Sequence, residues 1–309
     1  MCPSPLFIIG VGRSGSSIFH RLLCRHPSVV WLSRVLEQWP NAACVNRALM
    51  HALDAPLIGR GLSNMIEPAE CYAFWERLVP GFTSPCRDLV AGDVQNDVRA
   101  RVRDELDLIP TKRRPHLVVK VTGWPRLGFL REIFPDARFI HVVRDGRPVA
   151  ASFLKVDWWR GWRGPSGWLF GDLTPAQKAE WERYDRSFVA LAGIQWTILM
   201  DAIDRAKRAV PTSCFLEVRY EDLCHDPLRH FRRVAEFADL AWTPAWEQTI
   251  RRAPLKNENE KWRRDFSLDQ QAILESVLRS HLLRYGYERL STGEPQTSAP
   301  RGTRADKIL

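Results

Sequence analysis

Five short apolar segments along the chain are bounded by polar residues or turn formers and predict buried strands. They lie at residues 6–9, 29–32, 117–121, 138–143 and 213–218. After the first segment the apolar positions change to helical spacing, with Ile18, Phe19, Leu22 and Leu23 on one side. Strands that alternate with helices are typical of parallel βαβ units. We therefore expect an α/β fold, a parallel sheet flanked by helices, in a single domain.

The rest of the pattern divides this domain into a core and insertions. We predict helices that start near Pro125, Pro148 and Asp226, and a long helix over 175–208 that bends near Gly193. Residues 41–107 have mainly helical signals interrupted by prolines, and we expect them to form a cap or a substrate-facing insertion. Residues 156–170 combine four tryptophans with three glycines and a proline, so they predict a loop. The domain is expected to span 1–290, and the polar tail 291–309 to be disordered.

The first strand leads into a glycine-rich turn, Gly10 to Ser17, and then into a helix. Strand, glycine turn and helix together present backbone N–H groups and a helix dipole to an anion such as phosphate or sulfate. Gly10, Gly15 and Ser17 have the spacing of the nucleotide-binding P-loop, but Ser16 stands where that loop has its lysine. The basic residue of the turn is Arg13. The alternative is a glycine-rich turn that binds nothing.

Composition and charge narrow the possible partners. The chain has 45 Lys and Arg against 36 Asp and Glu, a formal net charge of +9, which favours an anionic partner. Most basic residues occur singly or in pairs on predicted helix faces, without the aromatic and basic repeats of nucleic-acid platforms, so we expect no nucleic-acid partner. Seven scattered cysteines without a CxxC pair favour reduced thiols in the cytoplasm and no metal site. The sequence has no apolar run of about 18 residues, so we expect no transmembrane anchor.

A second motif follows the fourth strand. Arg144 stands just after that strand, where open parallel sheets bind ligands, and Ser152 lies about one turn into the next helix. An arginine and a hydroxyl form a good phosphate clamp, although a surface salt bridge is the alternative. Together the two motifs resemble the sulfotransferase family that uses 3′-phosphoadenosine 5′-phosphosulfate (PAPS), whose Arg and Ser eight residues apart bind the 3′-phosphate. The segment Arg219–Leu223 and the stretch from Asn257 to Arg263 also look like parts of this family.

The resemblance implies a P-loop-like fold, PAPS as cofactor and a set of binding residues. The turn would hold the 5′-phosphosulfate, Arg144 and Ser152 the 3′-phosphate, and basic residues late in the chain would reach the same phosphate. The predicted cofactor-binding residues are Gly12, Arg13, Ser14, Gly15, Ser16, Ser17, Arg144, Ser152, Lys261 and Arg263. Lys120 matches the family's strand lysine near the transferring group, and Arg13 would assist there; a strand-end lysine that reaches solvent is the alternative reading of Lys120.

An acceptor hydroxyl or amine also needs a general base. Many bacterial relatives use a glutamate after the second strand, and Glu37 stands there, so Glu37 is the predicted base; a surface glutamate is the alternative. The predicted substrate-binding residues are Trp158, Trp159, Trp162 and Trp168, as a pocket wall or lid. The expected reaction is sulfuryl transfer to a small-molecule, lipid or saccharide acceptor. The rival functions are a P-loop kinase and a catalytically inactive PAPS-binding protein.

Overall fold

The centre of the molecule is a five-stranded parallel sheet. The computed structural model describes residues 3–55, 59–83 and 86–287. The strands are β1 (Leu6–Gly10), β2 (Val29–Trp31), β3 (His116–Thr122), β4 (Arg138–Val143) and β5 (Phe215–Arg219). Their order in the sheet is β2-β3-β1-β4-β5, and every neighbouring pair is parallel. The predicted α/β class and all five strands are confirmed.

Strand β1 lies in the middle of the sheet. Phe7 faces Val119 of β3 on one side and Phe139 of β4 on the other, and every residue of β1 is buried. Helices cover both faces of such a sheet, which is why β1 is a continuous apolar run rather than an alternating one. Because the strands are parallel, their carboxyl ends meet at one edge of the sheet.

The helices flank this sheet and form the region between β2 and β3. Among the described residues, six α-helices precede β3, the last five of them between β2 and β3: α1 (Ser16–Leu23), α2 (Arg34–Gln38), α3 (Ala43–Ala52), α4 (Gly59–Met65), α5 (Tyr72–Leu78) and α6 (Asn96–Asp107). The helices after β3 are α7 (Leu127–Ile133), α8 (Gly146–Phe153), α9 (Pro175–Arg183), α10 (Phe188–Ala206), α11 (Tyr220–His225), α12 (Pro227–Phe237), α13 (Pro244–Arg251), α14 (Lys261–Asp265) and α15 (Leu268–Arg284). No helix among the described residues has the length and apolar character needed to cross a membrane.

The predicted long helix over 175–208 is two helices, and the break is not at Gly193. Helix α9 ends at Arg183, Asp185 and Arg186 have positive φ values of 50° and 56°, and the Ser187 side chain then caps α10. Gly193 lies inside α10, where a Cβ atom would be 3.0 Å from Val277 of α15. The glycine therefore allows the two helices to pack closely instead of bending the chain.

The remaining predictions on chain organisation have different outcomes. Helices near Pro125 and Asp226 are present as α7 and α12, and α8 begins at Gly146, two residues before Pro148. Residues 156–170 form a loop with one short 3-10 turn, as expected. The described part of 41–107 contains α3 to α6, and its role as a cap stays a prediction. The predicted disordered tail, 291–309, lies outside the described residues.

Candidate active site

The glycine turn after β1 needs glycine at two positions. Gly15 has a φ of 86°, and a Cβ atom there would lie 2.3 Å from the ring of Tyr220, so both the backbone and the space demand glycine. A Cβ on Gly10 would lie 2.6 Å from the carbonyl oxygen of Val142 in β4. The two glycines thus allow the turn to pass close to β4 and α11 before α1 begins.

The turn and the start of α1 contain donors that have no partner among the described residues. Helix α1 begins at Ser16 without a capping side chain and without an acidic residue in its first turn. The first amides of a helix have no acceptor inside the helix, and they carry the positive end of its dipole. Ser14 Oγ is buried, and it has no hydrogen-bond partner among the described residues. These groups fit an anion that is bound at the start of α1.

The structure brings the two sequence motifs together at this edge of the sheet. Arg13 Nε donates to Ser152 Oγ at 2.8 Å, and an Nη atom of Arg144 donates to the Arg13 carbonyl oxygen at 3.1 Å. The Arg144 guanidinium also stacks on the Tyr220 ring, 4.4 Å from its centroid. Two arginines and a hydroxyl therefore converge beside the turn, and the shared phosphate clamp of Arg144 and Ser152 stays a prediction.

The structure gives less support to the basic residues late in the chain as phosphate contacts. Lys261 and Arg263 are exposed on α14 and pair with Glu258 and Glu260, respectively. The residue of this segment that reaches the arginine cluster is Asn259, whose Oδ1 accepts from Arg144 Nε at 2.8 Å. We found no signal in the sequence that distinguishes Asn259 from its neighbours. Cofactor binding by Lys261 and Arg263 stays a prediction.

Lys120 lies on β3 and points toward the start of α1. Its Nζ donates to Ser17 Oγ at 2.7 Å and lies 3.0 Å from an oxygen of Glu70. The lysine side chain is only 7% exposed, so it is a buried cation with one carboxylate partner and one hydroxyl partner. An ammonium group thus reaches the helix start from the neighbouring strand, although the turn itself has no lysine.

Glu70 is the functional candidate that the sequence analysis missed. One of its oxygens accepts from the hydroxyls of Tyr72 and Thr122, both at 2.7 Å, and from the Thr122 amide at 3.0 Å. The other oxygen faces Lys120. Burial by itself raises the pKa of Glu70, but the Lys120 charge and these hydrogen bonds outweigh it, so the pKa is below its usual value. Glu70 is therefore an ionised carboxylate at neutral pH.

Glu37, the predicted base, has a different environment. It lies on α2, where Leu36 is fully buried and Glu37 itself is exposed. The short helix directs Leu36 into the core, and Glu37 does not line the cavity that Glu70 lines. The position of Glu37 thus gives no support to its role as the base. Its predicted function remains untested.

A cavity of about 660 Å³ opens beside these groups. Gly12, Arg13, Ser16, Ser17 and Glu70 line one part of it, so it is continuous with the turn. Much of the remaining wall is aromatic: Trp124, Phe153, Trp158, Trp159, Trp168 and Phe170. Three of the four predicted substrate-binding tryptophans are therefore at the cavity. Within the described ranges, no three His, Cys, Asp or Glu side chains are grouped so that they could hold a metal ion.

Trp162 is the exception among the four. It is 56% exposed and lines a neighbouring depression with Phe188 instead of the main cavity. Trp158 is equally exposed but lies against the turn, with a ring atom 3.6 Å from where a Cβ of Gly12 would be. Trp124 was missed by the sequence analysis because it lies outside the tryptophan-rich loop, directly after β3 and Gly123.

A family model and individual related proteins both indicate a sulfotransferase. A model of the sulfotransferase family matches residues 5–244. The omega-hydroxy-beta-dihydromenaquinone-9 sulfotransferase Stf3 of Mycobacterium tuberculosis is 26% identical over 191 residues, which are 61% of this chain and 45% of that protein. Protein-tyrosine sulfotransferase A of Caenorhabditis elegans is 23% identical over 239 residues, 77% of this chain and 50% of that protein. The chain thus spans about half the length of these curated relatives.

Solved structures share the fold. Sulfotransferase STF9 from Mycobacterium avium superimposes with a TM-score of 0.57 at 19% identity, over 93% of this chain and 78% of that one. A sulfotransferase domain from the curacin biosynthetic pathway has a TM-score of 0.52 at 14% identity, over 93% of this chain and 98% of that domain. At these identities the likeness supports the architecture alone.

Proposed function

This chain belongs to the sulfotransferase family, and we propose that it transfers the sulfuryl group of PAPS to a hydroxyl or amine of an acceptor. The observation that carries the proposal is the meeting of separate motifs at one edge of the sheet. Arg13, Arg144 and Ser152 form one cluster, and Lys120 reaches Ser17 at the start of α1. A donor with anionic groups at the 3′ and 5′ positions of one ribose requires two such cationic sites close together.

The residues present fit this donor. Ser14 Oγ has no hydrogen-bond partner among the described residues, and the first amides of α1 have no acceptor inside the helix; both suit the 5′-phosphosulfate. Arg144 and Ser152 suit the 3′-phosphate, with Lys261 and Arg263 as further predicted contacts. When bound, PAPS supplies the activated sulfuryl group. Lys120 then neutralises charge on the oxygens near the turn, which is the electrostatic stabilisation that group transfer from a phosphate needs.

For the general base we propose Glu70 in place of Glu37. Glu70 lines the cavity, is ionised at neutral pH, and has one oxygen whose sole hydrogen-bond or ion-pair partner among the described residues is Lys120. That oxygen can accept the proton of an acceptor hydroxyl. Tyr72 and the backbone and side chain of Thr122 fix the carboxylate through its other oxygen.

The acceptor would occupy the aromatic cavity, next to Trp158, Trp159 and Trp168. The candidate acceptors are those predicted from the sequence, namely small molecules, lipids and saccharides. A cytoplasmic location, which was expected from the scattered cysteines, also stays a prediction. A P-loop kinase has a lysine in the loop. In this chain Ser16 stands at that position, which argues against the kinase alternative.

The test is calorimetric titration of the purified protein with adenosine 3′,5′-bisphosphate, beside ADP and ATP. We expect tight binding of the bisphosphate and weak binding of the other two, because Arg144 and Ser152 recognise a 3′-phosphate. Preference for ATP over the bisphosphate would contradict the proposal and favour the kinase. Bisphosphate binding without sulfuryl transfer to any member of an acceptor panel would favour the inactive PAPS-binding protein.

A further inference from the structure

We infer that the acceptor is an apolar alcohol or phenol whose hydroxyl is its one polar group inside the cavity, rather than a saccharide. This inference rests on the proposed function and concerns the same site. It is drawn from the hydrogen bonds of the cavity wall. These bonds decide which wall groups are left to replace the water that a polar ligand loses when it binds.

The indole N–H groups of the three buried tryptophans of the wall already have protein acceptors. Trp159 Nε1 donates to Gln195 Oε1 at 2.7 Å, Trp168 Nε1 to the Gly171 carbonyl at 2.7 Å, and Trp124 Nε1 to the Leu169 carbonyl at 3.2 Å. These three side chains are at most 7% exposed. They therefore offer a ligand their apolar rings and not their N–H groups.

The polar side chains of the wall are similarly occupied. The Thr83 hydroxyl donates to Glu76 at 2.7 Å, and the Tyr72 hydroxyl donates to Glu70 at the same distance. The terminal nitrogens of the buried Arg126 donate to the carbonyls of Trp124 and Phe82 at 2.6 and 2.8 Å. Its Nε has no partner among the described residues, but this atom is itself buried and does not face the open cavity.

Apart from the turn residues Arg13, Ser16 and Ser17, from Gln195, which holds the Trp159 indole, and from the exposed Trp158 indole, the remaining polar groups of the wall lie at two places. One is the reaction centre, where Glu70 and Lys120 can meet a single hydroxyl. The other consists of Asp157 and Arg160, whose side chains are exposed to solvent. Saccharide sites need several side-chain donors and acceptors around the ring, since each buried hydroxyl that loses water without a new partner weakens binding. An apolar skeleton has no hydrogen bonds to water that the site must replace, and its transfer out of water is favourable.

The cavity volume agrees with such a ligand. About 660 Å³ is within the usual range for small-molecule sites, which are mostly apolar with a few placed polar groups. Phe170 closes one side: its ring is 5.4 Å from that of Trp168 and 6.1 Å from that of Trp124. Because Phe170 is only half-buried and lies in a loop, it can be replaced with little effect on the core.

The experiment is calorimetric binding of 2-naphthol, geraniol and maltose to the full chain, with and without saturating adenosine 3′,5′-bisphosphate. We expect both apolar alcohols to bind and maltose to bind at least about tenfold more weakly. Phe170→Ser should weaken 2-naphthol binding about tenfold, Phe170→Leu should restore most of it, and Leu268→Ala, on an 81% exposed residue of α15, should change nothing.

Stronger binding of maltose than of both alcohols, or a Phe170→Ser variant with unchanged 2-naphthol affinity, would overturn the inference. Absence of binding by both alcohols would overturn it as well. The bisphosphate titration separates this failure from a failure of the proposed function. If the bisphosphate binds and maltose is preferred, only the acceptor class is wrong; if apolar alcohols bind and the bisphosphate does not, the sulfotransferase proposal is the one that fails.

Discussion

Replacement of Glu70 by glutamine tests the proposed chemistry most directly. The substitution preserves the size of the side chain and one carbonyl oxygen, which can still accept from Tyr72 and Thr122. It removes the negative charge that faces Lys120 and the lone pairs that would take the acceptor proton. Loss of a general base reduces turnover by about 10² to 10⁴, which corresponds to about 2.7–5.5 kcal/mol in the activation free energy.

The same change also has a cost in stability, which must be separated from catalysis. The Lys120 and Glu70 side chains are 7% and 20% exposed, so their ion pair is largely out of water. Breaking a buried pair costs about 3–5 kcal/mol when nothing replaces the lost partner. Lys120 keeps its contact with Ser17, so we expect a loss of about 1–3 kcal/mol in the free energy of unfolding. The variant should fold, with a lower melting temperature.

The assay combines initial rates at saturating PAPS and acceptor with a bisphosphate titration of each variant. We expect Glu70→Gln to lose at least about a hundredfold in kcat while its bisphosphate affinity is unchanged or higher, because Lys120 loses its competing carboxylate. Glu37→Gln is the matched control, since Glu37 is exposed and does not line the cavity. Its kcat should stay within about threefold of the wild-type value.

Two results would refute this reasoning. If Glu70→Gln keeps more than about a tenth of the wild-type kcat, Glu70 is not the base. If Glu37→Gln loses turnover and Glu70→Gln does not, the base is the residue predicted from the sequence. A parallel fall of bisphosphate affinity and kcat in Glu70→Gln would make Glu70 a positioning residue for Lys120.

Three further predictions concern the neighbouring groups. Arg144→Ala should weaken binding of adenosine 3′,5′-bisphosphate by about 2–4 kcal/mol, the loss of a charge-assisted contact, and leave that of ADP nearly unchanged in calorimetry; equal losses for both nucleotides would contradict the 3′-phosphate role. Because the pKa of Glu70 is lowered and its carboxylate is the active form in the proposed reaction, kcat/KM should fall only when the pH drops through that lowered pKa, below the usual range of a glutamate. An acid limb centred above pH 6 would assign the base to another group. Trp158→Ala should raise the KM for the acceptor more than that for PAPS, and equal effects on both would count against acceptor binding by Trp158.

The sequence predicted the parts of the site that follow directly from strands. Apolar runs located β1, β3 and β4, and the glycine turn, Lys120 and Arg144 lie at or just past the carboxyl ends of these strands. In a parallel sheet these ends share one edge, so residues far apart in sequence could be assigned to one site. The contacts among Arg13, Ser152 and Arg144 agree with that assignment.

Glu70 could not be found in this way, because its position depends on pairing between distant segments. The Arg34 amide donates to the Glu67 carbonyl at 3.1 Å, the Ala69 amide donates to the Leu32 carbonyl at 2.9 Å, and Ser33 and Pro68 form an antiparallel bridge. These bonds hold the segment before α5 against the end of β2. Local periodicity carries no information about such pairing.

A similar limit applies to the tryptophan-rich loop. Its glycines remove the regular spacing from which an inward face could be predicted, so Trp158 and Trp162 are equivalent in the sequence. In the structure, Trp158 lines the cavity beside Gly12, and Trp162 stacks with Arg163, whose guanidinium carbon is 4.7 Å from the ring centroid. Tertiary packing alone distinguishes the two indoles.

The position of the lysine connects these observations to the proposed reaction. In a P-loop the lysine belongs to the turn itself, so its charge acts on the phosphates from within that loop. Here Ser16 occupies that place, and Lys120 reaches Ser17 from the adjacent strand. From β3 the same ammonium also contacts Glu70, which lines the aromatic cavity. One cation therefore touches both the glycine turn and a residue of the cavity that we propose for the acceptor. A group that passes from the first to the second would need its charge neutralised there.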